Sequence, residues 1–324
     1  MRLVMMGTGA FAVPTFEALY DTPHAVSLLV TQPQRPVHDR RRRVTYPMRE
    51  VALHRQTPIF DPESVNTDEA RSEIARYEPD LLVVCAYGQI LSPATLGVTA
   101  YGGINLHSSL LPKYRGAAPI NWAIYHGETE TGVTVIHMSA KVDAGPCIAQ
   151  GVVEIGDDET AVELAPRMAE TGAWLICRAI DNIAEGRITE LPQDPKLATR
   201  APKLKKSDGQ VDWSQSAETI RNQVRAMQPW PKTFTYGRDS HGKPLRLILD
   251  RVSAEPGAEQ AEPGVVLIAE RDRLLVAAGE GAVSIQRIQP AGKRVLTTGE
   301  FLRGHKIKPG DRLGPEEEMV AAEA

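Results

Sequence analysis

Asp80 to Tyr87 reads as a continuous apolar run with no polar alternation, ending at a turn-like Tyr87-Gly88-Gln89-Ile90. A strand with one wet face alternates, whereas an unbroken run of this length reads as a strand covered on both faces. Such strands belong to parallel sheets flanked by helices, so the chain is expected to be α/β with a Rossmann-like, mostly parallel sheet. The beginning of the chain agrees. Arg2 to Met6 is a short apolar strand running into Gly7-Thr8-Gly9-Ala10-Phe11-Ala12, with a helix to about Tyr20. This turn has the G-x-G-x-x-A form of a dinucleotide fingerprint, which also asks for an acid at the end of the second strand. Val26 to Val30 ends instead in Thr31-Gln32-Pro33-Gln34, so the turn is read as tight strand-to-helix geometry rather than a nicotinamide site.

The chemistry concentrates further on, in Gly102 to Pro119, GGINLHSSLLPKYRGAAP. A strand ending there delivers Asn105 and His107, two apart and therefore on one face, to the carboxyl rim of the sheet. An amide and an imidazole side by side suit a reaction that builds negative charge on a carbonyl oxygen, because both can donate to it. Asp143, in the turn Lys141-Val142-Asp143-Ala144-Gly145-Pro146, supplies a carboxylate that could hold a protonated His107 or relay a proton. Taken singly, each has a plainer role: a loop cap, strand-end satisfaction, a turn start.

The string Asn105-Leu-His107-Ser-Ser-Leu-Leu-Pro112, then Tyr114-Arg115-Gly116-Ala117-Ala118-Pro119-Ile120, then Asp143 in an Asp-Ala-Gly turn, resembles the signature of the 10-formyltetrahydrofolate-dependent formyltransferases. The resemblance implies that Asn105 and His107 polarise the formyl group and hold its oxyanion, while Asp143 assists proton movement. It makes Ser109, Leu110, Leu111 and Pro112 a folate-contacting loop, and sets Tyr87, Gly88, Gln89 and Ile90 beside the pterin. Ser108 stands where many relatives have glycine.

Arg35 to Pro47, RPVHDRRRRVTYP, places Arg40, Arg41, Arg42 and Arg43 together between prolines with no apolar periodicity. Such a loop is a solvated surface or a seat for a polyanion, since adjacent like charges repel until an anion meets them. It resembles the basic insertion of methionyl-tRNA formyltransferases, which follows a similar Thr-Gln-Pro-x-Arg-Pro and contacts the acceptor end of the tRNA. Relatives interleave glycines where this chain has a solid run.

A chain of 324 residues exceeds what one core usually organises, about 250 to 300 residues, so two domains are expected. Residues 1 to 200 carry 18 Lys and Arg against 24 Asp and Glu, while 201 to 315 carry 19 against 13. The basic second half points to a polyanionic partner. Boundaries are expected at 1–189 for a catalytic domain, 190–206 for an extended linker, 207–315 for a C-terminal domain and 316–324 for a disordered tail. From Thr160 to Glu185, Leu164, Met168, Leu175, Ile176, Ala179, Ile180 and Ile183 fall on one helical face, and Met168 and Trp174 are read as core. After a helix over Ser216 to Met227, short strands at close spacing suggest a small β-barrel, OB-like in kind. Asp212-Trp213-Ser214, Pro229-Trp230-Pro231 and Gln289-Pro290-Ala291-Gly292-Lys293 resemble the C-terminal domain of the same enzymes. Lys203, Lys205 and Lys206, with Arg221, Arg225, Lys293 and Arg294, are candidate phosphate contacts.

Cys85, Cys147 and Cys177 are read as reduced core thiols, and no Cys/His cluster has metal-ligand spacing. No apolar stretch reaches the roughly 18 residues of a membrane span, and MRLVMMGTG lacks the parts of a secretory signal. A cytoplasmic monomer needing no metal is expected. The resemblance implies transfer of a formyl group from 10-formyltetrahydrofolate to the methionine amine of initiator Met-tRNA. The alternatives are a sugar-amine formyltransferase and a folate- or RNA-binding protein without catalysis.

Overall fold

A computed structural model of the chain describes residues 1–34, 46–257 and 261–321. They divide into two compact units: Met1–Pro119, Glu130–Glu154 and Glu163–Pro202 make the first, and Ile120–Thr129, Ile155–Val162 and Lys203–Ala324 the second.

In chain order the elements to residue 202 are β1 (Arg2–Gly7), α1 (Val13–Leu19), β2 (Ala25–Val30), α2 (Pro47–His54), β3 (Ile59–Phe60), α3 (Asp68–Ala75), β4 (Leu81–Cys85), α4 (Pro93–Leu96), β5 (Gly103–His107), β6 (Arg115–Gly116), α5 (Pro119–Tyr125), β7 (Glu130–His137), β8 (Cys147–Glu154), α6 (Ala161–Ala184) and β9 (Arg200–Ala201). The first unit is built on a seven-stranded sheet of order β3-β2-β1-β4-β5-β7-β8. Pairing is parallel from β3 to β5 and antiparallel for β5–β7 and β7–β8. Val4, Met6, Leu28, Val30, Leu82 and Val84 pack on one face with Val65, Ile74 and Tyr87. Leu3, Met5, Leu29, Leu81 and Val83, which alternate to the other face, are fully buried too. Both faces are dry, which is why the strands read as unbroken apolar runs. The order reverses between β1 and β4, so the carboxyl ends of these strands flank the crevice where doubly wound sheets bind ligands.

On α6 the residues Leu164, Met168, Leu175, Ile176, Ala179, Ile180 and Ile183 are buried. Trp174 corrects its expected place in the core: it is 58% exposed, with the Arg178 guanidinium 4.8 Å from its ring centre. Six positions from Met168 is about 1.7 turns, which carries Trp174 to the outer side.

The stretch 190–202 is not the extended linker expected for 190–206. Leu191 and Cys147 exchange backbone hydrogen bonds of 2.8 and 2.9 Å, and β9 pairs with β6. The β8 edge offers unpaired backbone groups, and a passing chain satisfies them. Lys203 onwards goes with the second unit.

That unit holds α7 (Ala217–Ala226), β10 (Thr233–Arg238), β11 (Pro244–Glu255), β12 (Val266–Glu270), β13 (Arg273–Ala277), β14 (Ala282–Pro290), β15 (Leu296–Thr297), α8 (Thr298–Gly304) and α9 (Glu316–Ala321). Its antiparallel sheet runs β10-β11-β14-β13-β12, with β15 on β14. The segment 310–314 joins the two outer strands. The Val266 amide donates to Asp311 at 2.8 Å on one side, while Tyr236 and Gly314 exchange bonds of 2.9 and 3.0 Å on the other. The sheet thereby closes into a barrel around Val211, Trp213, Leu247, Leu249, Val276, Ile285, Phe301 and Leu313. Ser216 caps α7 by accepting from the Thr219 amide at 3.1 Å.

The expected disordered tail from 316 is helical over Glu316–Ala321. Met319 is 3% exposed, and Glu316, Glu317 and Glu318 occupy the first turn, where a helix favours negative charge. Arg312 reaches Glu318 at 3.5 Å.

Candidate active site

β5 places Asn105 and His107 on one face. Leu106, between them, is turned toward Gly172 of α6, where an added Cβ would overlap it, so the other two look away from that helix. His107 is 6% exposed. Its Nε2 lies 2.9 Å from the carbonyl oxygen of Tyr114, and its Nδ1 3.6 Å from Oδ1 of Asp143. A carbonyl only accepts, so Nε2 donates to Tyr114, while Nδ1 faces the Asp143 carboxylate just beyond hydrogen-bond distance. Asn105 is half-buried, and its side-chain amide meets no partner among the described residues.

Asp143 arrives on the connection between β7 and β8 in a left-handed conformation, φ 50°. Asp tolerates that region better than most residues, though surrounding contacts must hold it. Its Oδ2 accepts from the Gly116 amide at 2.9 Å, leaving Oδ1 for His107. Two glycines permit this. A Cβ on Gly145 would overlap the His137 carbonyl, and one on Gly116 would overlap the Ala201 carbonyl.

The expected folate loops divide by residue. Ser109 is buried and spends its hydroxyl on the Lys113 carbonyl at 2.6 Å, while its own carbonyl accepts from Thr134 Oγ1 at 2.6 Å. Leu111 is buried, with its backbone held by Thr134 and Gln150 at 3.1 and 2.7 Å. Leu110 and Pro112 remain partly open. In the other loop, Gln89 accepts from the Val65 amide at 2.9 Å and donates toward Pro62 and Glu63, so its side chain fixes the loop. Tyr87 is buried with no hydrogen-bond partner for its hydroxyl among the described residues, and burial pushes the phenol well above its ordinary range. The backbone groups of Gly88 and Gln89 meet no partner among the described residues, and Ile90 is 67% exposed. A flat heterocycle with edge donors and acceptors fits such an open stretch of main chain.

The Gly7–Gly9 turn is closed to an anion. The amides of Thr8 and Gly9 both donate to the Ala86 carbonyl, at 3.2 and 3.4 Å, so the groups that would cradle a pyrophosphate are already satisfied.

Among the basic candidates, Arg40, Arg41, Arg42 and Arg43 lie outside the described residues. Lys203, Lys205 and Lys206 are exposed. Three others are spent within their own unit and are corrected as phosphate contacts. Arg221 bridges Asp158 and Glu218 at 2.9 and 2.7 Å, and Arg294 pairs with Glu300 at 2.8 Å. Arg225 is buried and donates to the carbonyls of Gly156 and Glu159 and, at 2.5 Å, to Asn222. Two contributors to the site are backbone groups, the Tyr114 carbonyl and the Gly116 amide, and no side-chain pattern announces them. Among the described residues no group of His, Cys, Asp and Glu could hold a metal.

Residues 1–180 match the formyl transferase family and 203–306 match the formyl transferase C-terminal domain. The methionyl-tRNA formyltransferase of Geobacter sulfurreducens is 41% identical over 97% of this chain and 97% of its own. That of Rhodopirellula baltica is 41% identical over 97% of this chain and 96% of its own. Among solved structures, the N-formyltransferase from Helicobacter canadensis in complex with folinic acid and dTDP-3-aminofucose superposes with a TM-score of 0.64 at 15% identity, covering 87% of this chain and 97% of that one. Both halves of the sequence are thus accounted for, and the chain belongs to the methionyl-tRNA formyltransferase family.

Proposed function

We propose that the chain transfers the formyl group of 10-formyltetrahydrofolate to the α-amine of methionine on initiator tRNA. The observation that carries the reading is the buried His107 facing the partly buried Asp143 beside the unpartnered amide of Asn105, in a chain that matches methionyl-tRNA formyltransferases along nearly its whole length. The donor, a substrate rather than a resident group, supplies the activated formyl carbon. The attacking amine has to be neutral, and with a free α-amine pKa near about 7.7 a large fraction already is at neutral pH. Positioning therefore matters more than strong basicity.

Asn105 donates its free N–H to the oxygen on which charge develops, and His107, beside it on β5, polarises the same group. Asp143 takes the proton released as the amine forms its bond to the formyl carbon. It returns that proton to N10 of the folate as the bond from N10 to the formyl carbon breaks. The main chain at Gly88 and Gln89, with Ile90, Leu110 and Pro112, receives the pterin. Lys203, Lys205, Lys206 and the arginines 40–43 meet tRNA phosphates. Among the described residues no helix is long and apolar enough to cross a membrane; we assign the enzyme to the cytoplasm, as a monomer. Incubation with 10-formyltetrahydrofolate and either Met-tRNA or an amino-sugar nucleotide tests the reading. Formyl transfer to the tRNA is expected, and transfer to the sugar alone overturns it.

A further inference from the structure

We propose that Gln193 is a positioning residue for formyl transfer, setting the carboxylate of Asp143 against His107 through two sets of hydrogen bonds made by its one side-chain amide. Its Nε2 donates to the backbone carbonyls of Asp143 and Gly145, at 2.9 and 2.7 Å. Its Oε1 accepts from Nε and Nη2 of Arg115, at 3.0 and 2.6 Å. Both amide hydrogens and both oxygen lone pairs are used.

The chemistry of the partners fixes the residue type and its orientation. Carbonyls can only accept and a guanidinium can only donate, so the group between them must donate on one side and accept on the other. A carboxylate satisfies Arg115 but faces two carbonyl oxygens with no hydrogens of its own. An ammonium does the reverse. Only an amide fits, and only one way round.

What the amide joins is the two walls of the proposed site. Arg115 immediately precedes Gly116, whose N–H holds Oδ2 of Asp143 at 2.9 Å. Arg115 also follows Tyr114, whose carbonyl meets Nε2 of His107 at 2.9 Å. On the other wall, Gln193 grips the backbone of Asp143 itself, a residue whose left-handed φ of 50° needs outside support. The segment bearing Gln193 is anchored on both sides. Glu190 pairs with Nδ1 of His137, at the end of β7. Leu191 is bonded to Cys147 at the start of β8, and the Thr199 hydroxyl accepts from the Tyr114 amide at 2.8 Å. Gln193 bonds the main chain of Asp143 and makes no hydrogen bond to its carboxylate or to His107, so it acts through the placement of Asp143.

The inference rests on the role given to Asp143 above, and the test separates the two. Gln193→Glu, Gln193→Ala, Asp143→Asn and the double variant Asp143→Asn/Gln193→Glu are assayed with Met-tRNA and 10-formyltetrahydrofolate, kcat and KM being resolved. Gln193→Glu keeps the side chain's size, so it remains informative if the alanine variant does not fold. Positioning predicts that Gln193→Glu and Gln193→Ala each lower kcat by about 10- to 100-fold, the cost of roughly 1 Å of misplacement. Both KM values stay within about threefold of the parent, and the double variant is no slower than Asp143→Asn alone, because both act on one group. A loss in the double variant that multiplies the two single losses overturns the inference, as does parental kcat in both Gln193 variants while Asp143→Asn is impaired. Undiminished formylation by Asp143→Asn removes the role of Asp143 itself, and with it the inference.

Discussion

The backbone amide of Gly116 lies 2.9 Å from Oδ2 of Asp143, on the far side of the carboxylate from His107. One oxygen is thereby tied to the main chain while the other stays beside the imidazole, so the carboxylate cannot turn without breaking a hydrogen bond. Gly145→Ala disturbs this without touching any charged group, because its Cβ would overlap the His137 carbonyl and push the Asp143 turn outward. A fall in kcat on the order of 100-fold is expected from a displacement of this kind. Steady-state formylation kinetics check it, and parental kcat would mean the turn has no part in the chemistry.

Asn105→Ala removes the donor assigned to the developing oxyanion, and His107→Ala removes the imidazole that polarises the same group. Loss of one such donor typically costs about 100- to 1000-fold in rate. Single-turnover rates at saturating donor and acceptor are expected to show this drop, with binding of both substrates little altered.

Salt tests the basic residues. Acceptor binding is expected to weaken steeply between roughly 50 and 200 mM salt, and every phosphate-neutralising cation replaced by alanine makes the log–log slope shallower by about 0.9. Replacing Arg40 to Arg43 together, or Lys203, Lys205 and Lys206 together, should flatten the slope in a filter-binding titration. A slope unchanged by either set would place the tRNA elsewhere.

Arg221 and Arg225 should part company in stability. Arg225 is 9% exposed and its bonds to Gly156, Glu159 and Asn222 are sheltered from water. Arg225→Ala is expected to cost about 1.5 to 3 kcal/mol. Arg221→Ala breaks ion pairs whose acidic partners are exposed and should cost about 0 to 1 kcal/mol. Urea unfolding midpoints distinguish them. Equal stability in both variants, with equal loss of tRNA binding, would restore Arg225 as a phosphate contact.

Glu300 closes the capping box of α8 with Thr297. The Arg294 guanidinium, then the Thr297 amide, hold its carboxyl down at about 2, from an ordinary 4.5. A carboxyl depressed on folding adds stability above its unfolded pKa and loses it as pH falls through the folded one. The contribution should therefore be complete above pH 4.5 and gone near pH 2. A carboxyl carbon titration by NMR would show the midpoint, and Arg294→Ala should raise it.

The sheet was readable because its driving force is local. Leu81 to Cys85 and Arg2 to Met6 carry their burial in their composition, and Asn105 with His107 is a period-two pattern that survives any surroundings. What the sequence concealed depends on partners far along the chain. Gln193 sits among prolines and reads as solvent-facing until the carbonyls of Asp143 and Gly145, some 50 residues earlier, are brought to it. Arg225 looks like any surface cation, and only the folding of 156–159 around it reveals a buried donor. By contrast, the helix over Thr298–Gly304 carries its own local signal, Thr297 followed three residues later by Glu300.

The barrel of the second unit owes its completeness to 310–314, a handful of residues that serve as a shared seam between Val266 and Tyr236. A chain cut after Lys308 would retain every long strand yet gain two raw hems, each with unmet amides and carbonyls. Such hems recruit one another between molecules, so the shortened protein should be a sticky one, prone to self-association in proportion to its concentration.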